Sequence, residues 1–245
     1  MSIIYQAKLT PSKYDLIKAW LPSQPWFTGD ISRLEPVGSY RFDDPEGEVG
    51  CEGHLFTAGD ARVFHAPLTY RSAPLASGEE FLAGTIEHGI LGTRWVSDAI
   101  GDPVYRAALA AAIAQGGTGS REFLVAADFV STPGGPEASE VGIEREPSVR
   151  VAGTGSQGVA VPELWAAQVE QQGSNSVAHT ELATLELHRI IDPECDGTED
   201  APGTHTLRAA WGAADAAAGD ADVAAGAGAS AEARRIGALL ATLRV

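Results

Sequence analysis

Between Val37 and Val96 the chain breaks into short runs rich in Val, Phe, Tyr and Thr, each closed by Gly, Asp or Pro. Runs this short and this strongly punctuated do not make helices; they read as antiparallel strands joined by hairpins. The expected strands are Val37 to Phe42, Val49 to Thr57, Arg62 to Tyr70, Phe81 to Glu87 and Leu91 to Val96.

Helical signals flank that run. After a first strand, SIIYQAKL, Thr10 and Pro11 read as a helix cap and its first residue. Tyr14, Ile17, Trp20 and Leu21 then share one apolar face, Lys13, Asp15 and Lys18 stay wet, and Pro22 ends the helix. Beyond the strands, Asp102 is the expected N-cap and Pro103 the first residue of an alanine-rich helix, Val104 to Gln115, stopped by Gly116-Gly117. Its small face implies close packing on the sheet or on the first helix. The expected fold class is α+β, with one domain at 1–119 and a small, mostly β domain at 120–245.

In that second part REFLVAADFV, VRVAG, ELATLELHRII, THTLRAAW and ALLATLRV are strand candidates, and STPGGPEASE is a loop or domain joint. PECDGTEDAPG separates two of the strands. The Ala/Gly/Asp tract near 212–233 lacks large apolar residues, so it is expected to be mobile, with a weak helix as the alternative.

The 245 residues, 44% of them apolar, suffice for one sizeable core or two small ones. No apolar run is long enough for a membrane helix, and MSIIYQAKL is too short and too polar for a signal peptide, so a cytoplasmic location is expected. Cys51 and Cys195 lie far apart without a C-x-x-C pair and read as ordinary thiols. A formal charge of −16 disfavours nucleic acid and anionic membrane surfaces, whose phosphates repel an acidic field.

Chemistry-bearing patterns are sparse. Kinase-like phosphoryl transfer needs an Asp at the accepting hydroxyl, a carboxylate on Mg²⁺ and a Lys on the nucleotide phosphates. The chain has no HxD loop, no D-[FY]-[GE] triplet and no Walker motif, and its three lysines, Lys8, Lys13 and Lys18, crowd the first helix region. His65 with Glu87 and His88 is the best set of metal-type ligands, but a strand and a turn account for them, and no metal, cofactor or catalytic residue is assigned. GGTGS at Gly116 and GTGSQG at Gly153 read as turns, since neither opens a helix beside a cation. A G-x-S-x-G elbow is absent, and Glu87 with Asp98 would serve sugar chemistry only at a defined separation. Trp20, Trp26, Phe27, Tyr70 and Trp95 either staple helix to sheet or offer rings to a sugar. Trp26 and Phe27, which follow a loop bounded by Pro22 and Pro25, are the pair expected to be exposed; Trp26, Phe27, Tyr70 and Arg71 are the candidate partner or sugar contacts.

The words WLPSQPWF, DDPEGEVG, HAPLTYRSAPL, GTIEHGILGTRWV and DAIGDPVY carry a family likeness. Over roughly Ile3 to Ala114 the chain resembles the N-terminal cap region of bacterial maltokinases, which phosphorylate maltose with ATP. The resemblance implies a curved antiparallel sheet with flanking helices, similar to a cystatin-like fold, that lies beside a nucleotide-binding lobe without supplying catalytic groups. VEQQGSNSVAHTELATLELHRII is faintly similar to the segment that follows the cap in those enzymes; aligned so, Glu186 stands where a nucleotide-contacting Lys would be. The resemblance therefore implies a non-catalytic cap-like protein binding a maltokinase or another glucan or trehalose-pathway protein. The alternative is an enzyme or ligand-binding protein acting on a maltose-type sugar.

Overall fold

The computed structural model describes residues 1–129, 137–191, 201–212 and 235–245. The mobility expected near 212–233, and Cys195, fall almost wholly outside that set.

The chain opens with β1 (Ser2–Tyr5), β2 (Leu9–Thr10) and α1 (Lys13–Trp20), followed by β3 (Leu34–Phe42), β4 (Gly50–Ala58), β5 (Val63–Arg71), β6 (Leu82–His88) and β7 (Gly92–Asp98). Then come α2 (Pro103–Ala114), β8 (Glu122–Val125), α3 (Ala138–Val141), β9 (Ile143–Arg145) and β10 (Arg150–Gly153). The remainder is β11 (Gln168–Gln172), β12 (Asn175–His179), β13 (Thr184–His188), β14 (Ile190–Ile191), β15 (Thr204–Trp211) and β16 (Arg235–Arg244). All five strands expected between Val37 and Val96 form within a few residues of their expected ends.

Local chemistry sets the helix starts. Asp102 caps α2 by accepting the Val104 N–H at 3.0 Å, with Pro103 as first residue. At α1 the cap is Ser12, whose Oγ accepts the Asp15 N–H at 3.1 Å, while Thr10 belongs to β2; the expected Thr10-Pro11 start is corrected by two residues.

The strands form a curled antiparallel sheet in the order β2-β6-β7-β5-β4-β3, to which β14 adds on β5. One face packs on α1 through Leu16, Ile17 and Trp20 against Phe56, Phe64 and Leu68. The other face meets α2 and a six-stranded sheet, β10-β15-β16-β13-β12-β11, in a single cluster holding Tyr40, Leu55, Leu109, Leu185, Leu207 and Leu243. A bulge between Pro36 and Gly38 switches the parity of β3. Leu34 therefore serves the α1 face, and Tyr40 and Phe42 the α2 face. A small third sheet, β1-β8-β9, pairs β1 parallel to β8.

The second half thus reads as the expected β-rich part, with the β11–β12 hairpin as an added element whose turn holds Gly173 at φ 60. Residues on both sides of Gly119 build the larger cluster, and β14 is laid into the first sheet beside Val63 and Phe64. A fragment of residues 1–119 would expose the α2 face of Tyr40, Leu55 and Leu109, and it is expected to melt without a cooperative transition in circular dichroism. A cooperative transition would instead establish two separately folding units divided at that point.

Candidate functional site

Helix α1 covers only part of its sheet face. Toward the tips of the β3–β4 and β6–β7 hairpins the same face continues past the helix: β4 begins at Gly50 opposite Tyr70, and β7 reaches from Trp95, the partner of Arg71 at the end of β5, on to Gly92. What results is a groove of about 570 Å³, lined among others by Lys13, Arg41, Glu52, Tyr70, His88 and Arg94, with β1 along one wall. Those six side chains come from α1 and from five strands.

Glu52 is the electrostatic centre, only 1% exposed. Its carboxylate accepts from Lys13 Nζ at 2.9 Å and Arg41 Nη2 at 3.0 Å, with His54 Nε2 at 3.5 Å. Burial works against its ionisation, yet Arg41 and Lys13, and then His54, outweigh burial and hold the carboxyl well below its ordinary range. Tyr70 Oη shares a 3.0 Å hydrogen bond with His54 Nε2, and Lys13 Nζ lies 5.5 Å from the Tyr70 ring centroid. The groove floor is thus a prearranged ionic lattice.

Tyr70 does line this groove, and the other contact candidates lie elsewhere. Arg71 is committed to Asp102, both nitrogen-to-oxygen distances being 2.7 Å, so it braces the α2 cap. Trp26 is 2% exposed, edge-on to Trp20 at 6.0 Å, with the Arg189 guanidinium carbon 5.0 Å from its ring. Phe27 is half-buried against Phe64 at 4.9 Å. The expected exposure of the Trp26-Phe27 pair is therefore corrected. The segment after α1 tightens into a turn at Leu21–Ser23 and carries the indole back into the core, beneath a cation that no local pattern announces. Trp165, 61% exposed between β10 and β11, is an indole that does face outward.

Arg189 is fully buried where β13 passes into β14. Its Nη2 lies 2.7 Å from both Asp98 oxygens, and its Nε donates to Ser176 Oγ at 2.9 Å. Nearby, His65 Nδ1 is 3.1 Å from the His188 carbonyl, which can only accept, so Nδ1 carries the proton. Nε2 then accepts from Tyr40 Oη at 2.8 Å, and Tyr105 Oη, 3.4 Å from Tyr40 Oη, donates in turn.

Burial first, and then the charge of Arg189, lowers the His65 pKa from 6.5 to about 3. In an unfolded chain imidazole titrates near 6.5, so between about pH 6.5 and 3 the unfolded chain binds a proton that the native ring refuses. Stability from this group is complete above that window and falls as pH falls through it, by at most ~1.4 kcal/mol per pH unit. Melting temperatures followed from about pH 7 to 4 are expected to decline less steeply in His65→Gln than in the parent. Parallel curves would place the proton uptake elsewhere.

The metal-type set does not assemble. Both His65 nitrogens are engaged, Glu87 accepts from Thr93 Oγ1 at 2.9 Å, and His88 Nδ1 accepts from its own turn. Among the described residues no group of three or more His, Cys, Asp or Glu is placed to hold a metal ion. Glu87 and Asp98 are also apart: Glu87 is opposite Thr93, five residues along β7 from Asp98, roughly 16 Å of strand. Glu186 accepts from Asn175 and Arg244. Cys51 is buried, and burial pushes its thiol up to about 12.

The two glycine words bind each other's neighbourhood instead of an anion. Gly155 N–H donates to Ile113 O at 3.0 Å and Ser156 N–H to Ala114 O at 3.0 Å, while Gly117 N–H takes Ala112 O at 2.8 Å. These donors satisfy the last carbonyls of α2, the negative end of its dipole. A Cβ on Gly155 would stand 2.0 Å from Ala114 O, which explains glycine there.

A curled antiparallel sheet with one helix on a face that ends in an ionic groove, its back packed on a second sheet, defines a mixed α+β fold with a β-rich second half. Residues 20–102 match the family described as the maltokinase N-terminal cap domain. The matched span runs from the end of α1 through β3–β7 to the cap of α2 and so contains five strands of the curled sheet, without β2 and β14. No curated protein matches the chain. Among the described residues, no helix is long and apolar enough to cross a membrane.

Proposed function

We propose that this protein is a non-catalytic, cap-like accessory module of maltose, trehalose or glycogen metabolism that works in the cytoplasm by binding a maltokinase or another protein of those routes. The observation that carries this reading is the match of residues 20–102 to the maltokinase cap domain. It is supported by the sequence, which holds neither an HxD loop nor a D-[FY]-[GE] triplet. The reading assigns no cofactor and no catalytic residue. Incubated with ATP, Mg²⁺ and maltose, the purified chain is expected to release no maltose phosphate, and to retain a purified maltokinase in a surface-binding assay. Turnover abolished by a single substitution within this chain would overturn the accessory reading.

A second reading, a ligand-binding protein for a maltose-type sugar, is favoured by one observation. The groove is of small-ligand size, and Tyr70 lines it. Saturable maltose binding lost in Tyr70→Ala would support that reading over the first.

A further inference from the structure

The polar groups around the groove divide into those already engaged and those left over. Glu52 is taken by Lys13 and Arg41. Asp44 accepts the backbone N–H groups of Glu46, Glu48 and Val49, closing its own hairpin. Asp43 accepts from the Met1 amino group and Ser2 Oγ. Glu52, Asp43 and Asp44 are therefore neutralised or spent on the fold, while Glu46 and Glu48, which also line the groove, are exposed on the β3–β4 turn.

Two donors on β6 and β7 are not. His88 Nδ1 accepts the N–H groups of Ile90 and Leu91 at 3.2 and 3.1 Å, which places the neutral ring's proton on Nε2, where no described acceptor meets it. Arg94 Nη2 donates to Leu91 O at 3.0 Å, but its Nε meets no acceptor, and none of the described carboxylates pairs with it. The two residues share a face: Arg94 is opposite Ile86, two positions from His88, and both line the groove. In a chain with 33 acids against 17 bases, a partly buried guanidinium without a carboxylate is out of keeping with the whole. Burial alone accounts for the lowered pKa of Arg94, with no opposing carboxylate. Burial first, and then the nearby charges of Arg94 and Lys13, lower the His88 pKa, so the ring is a neutral donor and Arg94 supplies the corner's uncompensated charge. Beside it lie the half-buried Leu9 and the exposed Leu91.

We propose that the groove binds a small organic oxyanion, its charged end held by Arg94 and His88 and its apolar body lying along Leu9 and Leu91. Guanidinium and imidazole N–H donors on one face suit a carboxylate or a phosphate monoester, and the surrounding acidity makes this corner the place where such a ligand would lose least by repulsion. The inference is independent of the accessory role.

The test uses the full chain titrated by calorimetry with phenyl phosphate and with benzoate, and with phenol as the neutral control. Saturable binding of at least one anion, absent for phenol, is expected, and whichever anion binds more tightly identifies the phosphate or the carboxylate as the source. Arg94→Gln is expected to weaken that binding tenfold or more. His88→Asn, which keeps an acceptor for the turn N–H groups and removes the Nε2 donor, is expected to weaken it several-fold with the melting temperature unchanged, and it carries the test should Arg94→Gln fold poorly. Binding of neither anion, binding of phenol equal to theirs, or undiminished anion binding in a folded variant would each overturn the proposal.

Discussion

Replacing Trp26 by alanine is expected to destabilise the protein by about 3–5 kcal/mol, the range for a large aromatic side chain removed from a packed interior. The indole is 2% exposed, braced edge-on by Trp20, and covered by the Arg189 guanidinium. A desolvated cation over an indole adds up to about 2 kcal/mol to what burial alone provides. The loss is read from the midpoint of a urea titration. A change below about 1 kcal/mol would return Trp26 to the surface and restore it as an interface anchor. Because the whole effect is on folding, weakened partner capture by this variant would not mark the indole as a contact.

Arg189→Met is expected to cost a further 3–5 kcal/mol, roughly, because it strands the Asp98 carboxylate without its cation. Asp98 is 6% exposed and also accepts the Ile100 N–H at 3.3 Å, so it cannot simply turn out to water. Asp98→Asn in the Arg189→Met background keeps that acceptor and removes the stranded charge, and is expected to recover a large part of the loss. Additive single losses in the double-mutant cycle would mean that the pair, at 2.7 Å, does not act as a unit. Its position makes the pair informative: Arg189 sits between β13 of one sheet and β14 of the other, so its removal also loosens the seam between them.

The five strands between Val37 and Val96 were readable because each obeys a local rule: β-branched and aromatic residues in runs, with Gly, Asp or Pro at the ends. The α2 cap was readable for the same reason, since Asp before Pro supplies an acceptor and a preset φ. At α1 the expected cap, Thr10, is taken up by β2, which pairs it with Glu87 of β6, and Ser12 caps the helix instead. The β11–β12 hairpin escaped because its residues are too polar to stand out as strands, although Gly173 marks its turn.

The groove was not readable at all, apart from Tyr70. Lys13, Arg41, Glu52, His88 and Arg94 come from five elements, and nothing in their spacing shows that one sheet face gathers them. Burial of charge was equally hidden: Glu52 and Arg189 look like solvent-exposed residues until their partners are known.

By itself the sequence determined the class of fold, the strand run, the second helix and its cap, and a likeness to the maltokinase cap domain that the family match over 20–102 shares. Each of these rests on interactions within a few residues, or on words short enough to read in line. Only the tertiary structure decided that Trp26 is core, that Arg71 braces a helix, that the glycine words close the end of α2, and that Arg94 and His88 are left with donors to spare. Those outcomes depend on which distant strands become neighbours, and strand order is set by the packing of whole faces, a property no local stretch of chain contains.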